Sequence, residues 1–331
     1  MALERIGETA EGPVFMGELG EGGIRARVMS QGAVLRSLTV PIDGGRRELT
    51  LGFAGLGDYL DPPDYFGSVC GRVANRIAHG RFELDGETFD LDRNEGGRHH
   101  LHGGAKGFSF QNWTMVEGAD GRSLDLYLVS ADGEGGYPGT LRATCRYRLD
   151  AVDALSVELT AEVDRPCPVN LTHHAYWNLD GGGPVAQHRL KLASDAYLPT
   201  DPNQIPTGEV ADVGGTVYDF RSGRRIGDAD PRLDHCFVTN GDGLRPVAEL
   251  WGGDGRVRLL LESDQKGLQV YNGFKLDSTG RNGERFLPLY GLCLEPEGFP
   301  DAPNHPAFPP VILRPGRTYR QTMRFSFHLD G

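Results

Sequence analysis

The sequence predicts an all-β protein in which large antiparallel sheets are joined by long loops. Three observations support this prediction. Apolar and polar residues alternate in several separate segments, which is the period of a strand with one buried face. No stretch of ten or more residues has the three-and-four spacing of an amphipathic helix. The 48 glycines and 21 prolines are scattered over the 331 residues without a repeat, as in a chain with many turns.

The predicted strands follow one another along the whole chain. Their alternating apolar residues lie in the segments 24–28, 82–84, 89–91, 124–128, 155–163, 257–261 and 323–329. Asp85 and Gly86 separate the second segment from the third, and this dipeptide is typical of a two-residue hairpin turn. Segments of the same kind lie on both sides of the Gly-, Pro- and Asp-rich stretch Pro199–Asp219, which we interpret as a long loop. We therefore expect one domain over residues 1–331, with its sheets packed face to face.

Composition excludes several classes of function. The net charge is −12 and no block of Lys or Arg occurs, so nucleic acid and anionic membranes are not expected partners. No apolar run approaches the ~18 residues of a membrane span. The first fifteen residues do not have the basic and apolar regions of a secretory signal, which predicts a cytoplasmic protein. The five cysteines are scattered without a C-x-x-C pair, so neither a zinc site nor a disulfide framework is indicated.

The sequence also lacks a phosphate-binding glycine loop of either common kind and a G-x-S-x-G nucleophile elbow. Carboxylates, histidines and arginines remain as candidate catalytic groups. They suit general acid–base chemistry on a neutral polyhydroxy substrate.

Histidines occur in two clusters. His100 and His102 would share a face on a strand and could hold a metal, but glycines follow them instead of a carboxylate. The alternative is a single site histidine, His102, at a tight turn. The consecutive His173 and His174 point to opposite faces of a strand, so only one can readily line a given site.

Other polar residues stand among apolar neighbours. Arg76, beside Asn75, is either a surface arginine or a rigid donor for hydroxyl groups. Asp234 and Gln269 would be costly to bury unless they are paired or used. Near the end of the chain, the apolar run Leu292–Leu294 predicts a buried strand that ends at Glu295, with Glu297 and a proline-rich wall beyond it.

Six motifs occur in order between residues 71 and 319: GRVANRIAHGRFELDGETFDL, LHGGAKGF, NLTHHAYWNL, LDHCF, GLQVYNG and EPEGFPDAPNHPAFPPVILRPGRTY. With these motifs the chain resembles the aldose 1-epimerase (galactose mutarotase) family. The resemblance implies a galactose mutarotase-like β-supersandwich and interconversion of the α and β anomers of a free monosaccharide. It implies no metal and no organic cofactor, and it leaves open whether the protein is a monomer or a homodimer.

The resemblance also implies roles for individual residues. Glu295 matches the general base, His174 the general acid and His102 the second site histidine. The matching sugar-binding positions are Arg76, Asn75, Asp234 and Gln269.

Three departures from the family pattern lie near these positions. Glu297 stands where the family usually has Gln, His173 where it often has Asn, and Asn272-Gly273-Phe274 replaces the end of a Tyr-Thr-Gly-Asn pattern. They leave the preferred aldose open among glucose, galactose, arabinose and xylose. The alternatives are a glycoside hydrolase using two carboxylates and a non-catalytic sugar-binding β-sandwich.

Overall fold

The computed structural model describes residues 3–42, 44–61 and 64–329, which form strands, short 3-10 segments and loops. The strands of these ranges are β1 Glu4–Thr9, β2 Gly12–Leu19, β3 Arg25–Met29, β4 Val34–Ile42, β5 Gly45–Glu48, β6 Val69–Cys70, β7 Arg76–Ile77, β8 Arg81–Leu84, β9 Glu87–Asp90, β10 His100–Leu101, β11 Thr114–Glu117, β12 Ser123–Ser130, β13 Leu141–Ala151, β14 Ala154–Val163, β15 Cys167–Pro168, β16 Thr172–His173, β17 Tyr176–Trp177, β18 Arg189–Leu192, β19 Ser194–Tyr197, β20 Ala211–Asp212, β21 Arg224–Arg225, β22 Asp234–Thr239, β23 Arg245–Trp251, β24 Val257–Ser263, β25 Gly267–Tyr271, β26 Ser278–Thr279, β27 Arg285–Phe286, β28 Leu292–Glu297, β29 Ile312–Leu313 and β30 Tyr319–Leu329. The 3-10 segments are Leu56–Tyr59, Ala78–Gly80, Phe108–Phe110, Glu134–Gly136, Val185–Gln187, Ile226–Asp228 and Ala302–Asn304.

Three large antiparallel sheets organise these strands. The nine-stranded sheet has the order β11-β12-β13-β14-β30-β24-β23-β18-β21, the six-stranded sheet β17-β28-β25-β22-β19-β20, and the five-stranded sheet β1-β2-β3-β4-β5. The prediction of large antiparallel sheets is therefore confirmed. Within the described ranges, none of the helical segments is long and apolar enough to span a membrane.

The main core lies between the nine-stranded and six-stranded sheets. The indole of Trp177 on β17 lies 5.0 Å from the ring of Phe325 and 5.8 Å from that of Phe327, both on β30. These aromatic contacts join the two sheets through their apolar faces, as in a β-sandwich. The opposite face of the six-stranded sheet is thereby left free to carry polar side chains.

The predicted strands are confirmed, including the hairpin between β8 and β9. Leu84 pairs with Glu87 across the turn, and Asp85 and Gly86 have φ angles of +52° and +83°. Two positive φ angles are what a type I′ turn requires. The stretch Pro199–Asp219 is a loop apart from the two-residue strand β20 and an isolated bridge between Thr200 and Pro206.

Strand β28 is buried on both faces. Leu292 and Leu294 belong to the main core, and Cys293, Glu295 and Glu297 point to the other side. The prediction that this strand ends at Glu295 was wrong, because it continues through Pro296 to Glu297. Strand β17 pairs only with the first two residues of β28, so Pro296 has one neighbouring strand, where a missing N–H is tolerated.

Candidate active site

A cavity of about 360 Å³ opens on the polar face of the six-stranded sheet. Three neighbouring strands of this sheet, β28, β25 and β22, contribute Glu295, Gln269 and Asp234 to its wall. Loops contribute Asn75, His102 and His174, and the short strand β7 contributes Arg76. The cavity is thus lined by all seven residues that the sequence predicts for the site, namely Glu295, His174, His102, Arg76, Asn75, Asp234 and Gln269.

Glu295 and His174 face each other at the bottom of this cavity. Nε2 of His174 lies 3.5 Å from Oε2 of Glu295, and the two side chains are 6% and 2% exposed. This distance is within the range of an ion pair but too long for a good hydrogen bond. Within the described ranges, Oε2 of Glu295 has no hydrogen-bond partner. A carboxyl oxygen and an imidazole nitrogen are therefore both available to a ligand at the same point.

The His174 ring is held between other rings. Tyr176 stacks on it with a centroid distance of 5.1 Å, and His102 packs edge-on at 5.2 Å. Its backbone N–H donates to the carbonyl of Ser68. His173 points the other way, into the core, where its ring contacts Tyr147 and Phe325. The prediction that only one of the two consecutive histidines lines the site is borne out by this geometry.

His102 and Asn75 hold each other through their backbones. The N–H of His102 donates to the carbonyl of Asn75, and the N–H of Asn75 donates to Nδ1 of the imidazole at 3.2 Å. Because Nδ1 accepts a hydrogen bond, the proton of the neutral ring is on Nε2. Both residues have a left-handed backbone, with φ angles of +58° at Asn75 and +52° at His102. The expected strand face shared by His100 and His102 does not exist, since β10 ends at Leu101.

His100 has a structural role and does not line the cavity. Its Nε2 lies 2.8 Å from the Tyr137 hydroxyl, its Nδ1 contacts Asp92, and the ring is completely buried away from the cavity. The two histidines that suggested a metal site therefore serve different parts of the structure.

Glu297 lies behind the cavity wall. Its Oε1 accepts a hydrogen bond from Nδ2 of Asn75 at 3.2 Å, and the residue is completely buried. Asn75 also accepts, through Oδ1, from the backbone N–H of Arg76. Glu297 thus supports Asn75 from below, while Glu295, two residues earlier on the same face of β28, lines the cavity.

Arg76 is fixed by Glu95. Its Nε and Nη2 donate to both carboxylate oxygens at 2.8–3.1 Å, which is the bidentate geometry that holds a guanidinium most rigidly. The Asp234 carboxylate is fixed from the sheet, since Oδ1 accepts from Nε2 of Gln269 at 2.6 Å. The arginine and the aspartate are thereby presented to a ligand in defined orientations.

The surroundings of Glu295 and His174 shift the pKa values of both groups. Burial raises the pKa of Glu295 well above its ordinary value, and the neighbouring charges of Glu297 and Asp234 raise it further. Burial lowers the pKa of His174 to about 4. Burial therefore favours the form of the pair that holds one proton, with a protonated carboxyl beside a neutral imidazole. His102 is also neutral, because burial lowers its pKa well below the ordinary range.

Cys293 stands on the other side of the His174 ring. Its Sγ lies 3.6 Å from Nδ1, so one nitrogen, one sulfur and one carboxylate oxygen of these residues lie within 4.8 Å of one another. The thiol and the carboxylate, however, approach opposite nitrogens of a single imidazole. Burial also raises the pKa of the thiol well above its ordinary value, whereas metals bind the thiolate. This arrangement fits proton transfer between Glu295 and His174 better than a metal centre.

Sequence reasoning missed several residues of the site. Tyr65 covers the His102 ring at a centroid distance of 4.6 Å, and Lys275 lines the mouth of the cavity. Glu95, which fixes Arg76, sits in an exposed glycine-rich turn where an acid carries no special signal. Of the two consecutive aromatic residues of β17, Tyr176 lines the cavity and Trp177 belongs to the main core.

The chain matches known proteins over nearly its whole length. The family model for aldose 1-epimerase matches residues 18–326. The aldose 1-epimerase of Escherichia coli K12 is 40% identical over 321 residues, which cover 92% of each chain. The galactose mutarotase of Homo sapiens is 40% identical over 316 residues, covering 92% of this chain and 91% of the human protein.

Solved structures give the same result. The GalM/aldose epimerase homologue from C. elegans superposes with a TM-score of 0.90 at 30% identity, covering 96% of this chain and all of that one. The galactose 1-epimerase from Lactobacillus acidophilus NCFM superposes with a TM-score of 0.88 at 27% identity, covering 100% and 99%. The chain therefore belongs to the aldose 1-epimerase family, in fold as in sequence, and it is an isomerase of that class.

Proposed function

We propose that Glu295 and His174 are the general base and general acid with which this aldose 1-epimerase interconverts the α and β anomers of a free aldose. The observation that carries this assignment is the buried pair of Nε2 and Oε2 at 3.5 Å, open to one cavity. Anomer interconversion needs one group that removes a proton from the anomeric hydroxyl and another that protonates the ring oxygen.

Ring opening uses the single proton of the pair. Its transfer from Glu295 to His174 gives a carboxylate beside an imidazolium, which is the reactive form. The carboxylate takes the proton from the anomeric O1–H, the C1–O1 bond becomes a carbonyl, the C1–O5 bond breaks, and the imidazolium protonates O5. The pair returns to a neutral acid beside a neutral base, which is the form that burial favours.

Ring closure reverses these transfers after rotation about C1–C2 has exposed the other face of the aldehyde. His174 takes the proton from the O5 hydroxyl while O5 attacks C1, and Glu295 returns its proton to O1. The catalyst ends each cycle with the proton it began with. His102 donates its Nε2–H to the substrate near the reacting carbon, since its Nδ1 is occupied by the Asn75 amide.

The remaining hydroxyl groups are held by Arg76, Asp234 and Gln269, with Asn75 in support. Glu95 fixes the guanidinium of Arg76, and Gln269 fixes the carboxylate of Asp234. A bound sugar would therefore form hydrogen bonds with a rigid donor and a rigid acceptor. Rigid binding keeps O1 and O5 aligned with the two catalytic groups, which is a large part of catalysis by orientation. The substrate is a monosaccharide, and the residues leave glucose, galactose, arabinose and xylose to be compared.

The two alternative functions are disfavoured. A glycoside hydrolase needs two carboxyl groups flanking the bond that breaks. Glu297, the acid that follows Glu295 on β28 and would be its partner in such a mechanism, is turned toward Asn75 and does not line the cavity. A non-catalytic sugar-binding domain would not need the acid–base pair at the bottom of its cavity.

Polarimetry on freshly dissolved α-glucose, α-galactose, α-xylose and α-arabinose tests the proposal, with NMR exchange between anomers as a second readout. We expect faster mutarotation of at least one aldose. Sugar binding without acceleration would favour the binding domain, and release of reducing sugar from an aryl glycoside would favour the hydrolase.

We further propose that residues 1–331 form one domain that works in the cytoplasm as a monomer or a homodimer. The five cysteines are all unpaired and buried, which suits a reducing compartment. Light scattering of the purified protein distinguishes the two oligomeric states.

A further inference from the structure

Gln204 lies at the tip of the loop between β19 and β20. The base of the loop is closed by the N–H of Thr207, which donates to the carbonyl of Pro199. At the tip, Asp201 accepts the N–H of Gln204 through its carbonyl and that of Ile205 through Oδ1. Gln204 has a φ angle of +64°, an uncommon backbone conformation for a residue with this side chain.

The amide of Gln204 reaches from this loop to three separate parts of the site. Its Oε1 accepts from Nη2 of Arg76 at 3.0 Å and from Nζ of Lys275 at 2.7 Å. Its Nε2 donates to Oδ2 of Asp234. One side chain therefore connects the arginine and the aspartate to which the sugar hydroxyls are assigned.

These contacts determine which polar atoms of Arg76 and Asp234 remain available to bind a sugar. The hydrogen bonds of Arg76 to described residues run through Nε and Nη2, which leaves Nη1 for a ligand. Both oxygens of Asp234 already accept one amide N–H each, from Gln269 and from Gln204. Because a carboxylate has about four acceptor positions, the amides fix its plane and leave the remaining lone pairs in defined directions.

Lys275 is itself held at the cavity mouth. Its Nζ lies 5.2 Å from the centroid of the Phe274 ring, and Arg232 covers the same ring at 5.5 Å. Phe274 is one of the residues at which the chain departs from the family pattern. Gln204 thus contacts a lysine that lies next to one of the departures from the family pattern.

We propose that Gln204 is a positioning residue for substrate binding. It orients Arg76 and Asp234 toward the hydroxyls remote from the anomeric carbon, and it thereby contributes to the choice between aldoses that differ at one such hydroxyl. The inference rests on the proposed function, because it assumes that these two residues hold the sugar.

Three variants test the inference. Gln204→Met has a similar length and removes all three hydrogen bonds. Gln204→Glu keeps the acceptor for Arg76 and Lys275 but places a carboxylate against Asp234. Gln187→Met is the matched control, since Gln187 is an exposed glutamine outside the cavity. Kinetic constants for α-galactose and α-glucose are measured for each variant, together with its thermal melting temperature.

For Gln204→Met we expect KM to rise about tenfold, the effect of losing a hydrogen bond to a charged group, with a smaller change in kcat. The ratio of kcat/KM for galactose and glucose should shift as well. For Gln204→Glu, KM should rise further as pH increases from 5 to 8, because two carboxylates then face each other. The Gln187→Met control should match the wild type.

An unchanged KM and an unchanged galactose-to-glucose ratio in Gln204→Met would overturn the inference, as would a loss confined to kcat. If this variant does not fold, Gln204→Asn decides by the same criteria, since its amide is one methylene too short to span the three partners. A wild-type protein without mutarotation of any aldose would instead contradict the proposed function. The two failures are therefore distinguishable.

Discussion

Nε2 of His174 and Oε2 of Glu295 lie 3.5 Å apart, in a buried corner where burial favours the neutral form of each group. The pair holds one proton, and moving that proton between the two groups changes a neutral pair into a base and an acid. Such a pair has macroscopic pKa values that belong to both residues together.

The pH dependence of kcat/KM should be bell-shaped. Below about pH 4, the pKa of His174, the pair carries two protons and Glu295 cannot act as a base. Above the raised pKa of Glu295, the pair has lost its only proton and cannot protonate O5. Polarimetric rates on α-galactose, corrected for the spontaneous reaction, should therefore be constant between about pH 4 and the raised pKa of Glu295. An acid limb near 6.5, the value of a free imidazole, would contradict this reading.

The two consecutive histidines should behave oppositely. His174→Asn removes the general acid, and we expect kcat to fall by about 10²–10⁴-fold. His173→Asn changes a ring that contacts Tyr147 and Phe325 in the core, so kcat/KM should stay close to that of the wild type. Polarimetry on both variants checks this expectation, and equal losses in the two would show that the ring facing the cavity has no special role.

Asp234→Ala should weaken substrate binding more than it slows the reaction. It removes a charged acceptor for sugar hydroxyls and leaves the Gln269 amide without a partner. We expect KM to rise about tenfold or more, as for a lost hydrogen bond to a charged group. Asp242→Ala is the control, because Asp242 lies on the surface in an ion pair with Lys266. A lower kcat at constant KM would place Asp234 in the chemical step instead.

Glu297→Gln should stabilise the protein at alkaline pH. Burial raises the folded-state pKa of Glu297 well above its ordinary value of 4.5, so the folded state binds this proton more tightly than the unfolded state. Stability is then lost as pH rises from about 4.5 through the raised pKa. An amide of the same shape does not titrate and can still accept from Asn75.

The melting temperatures of wild type and Glu297→Gln should be similar at pH 4.5 and diverge at pH 8, where the variant should melt higher. A difference that does not depend on pH would mean that Glu297 acts through packing and not through its charge.

Much of the fold could be predicted from local patterns. The alternation in Leu155–Val163 and the Asp85-Gly86 turn each specify a structure through neighbouring residues alone. The end of β28 could not be predicted in this way. A proline normally ends a strand, because it cannot donate a backbone hydrogen bond. Pro296 is accommodated here because β17 pairs only with Leu292 and Cys293 and does not reach it.

The residues of the candidate site also differ in whether the sequence could predict them. Glu295, His174 and Asp234 could be predicted from motifs that the family shares. Glu95 and Gln204 could not be predicted in this way. Glu95 lies in a loop 19 residues from Arg76, beyond the β8–β9 hairpin, and Gln204 lies in a loop 128 residues away, so that only tertiary folding brings them to Arg76. A loop residue with an ordinary side chain gives no local sign of such a contact.

Mutarotation by the Glu295→Gln variant tests the central assignment most directly. Glutamine keeps the size of the side chain and cannot take the proton from O1, so kcat on the preferred aldose should fall by about 10²–10⁴-fold while the sugar still binds. The measurement is polarimetry at saturating sugar, with binding followed by NMR. A variant that interconverts the anomers at the wild-type rate would contradict the role of Glu295 as the base.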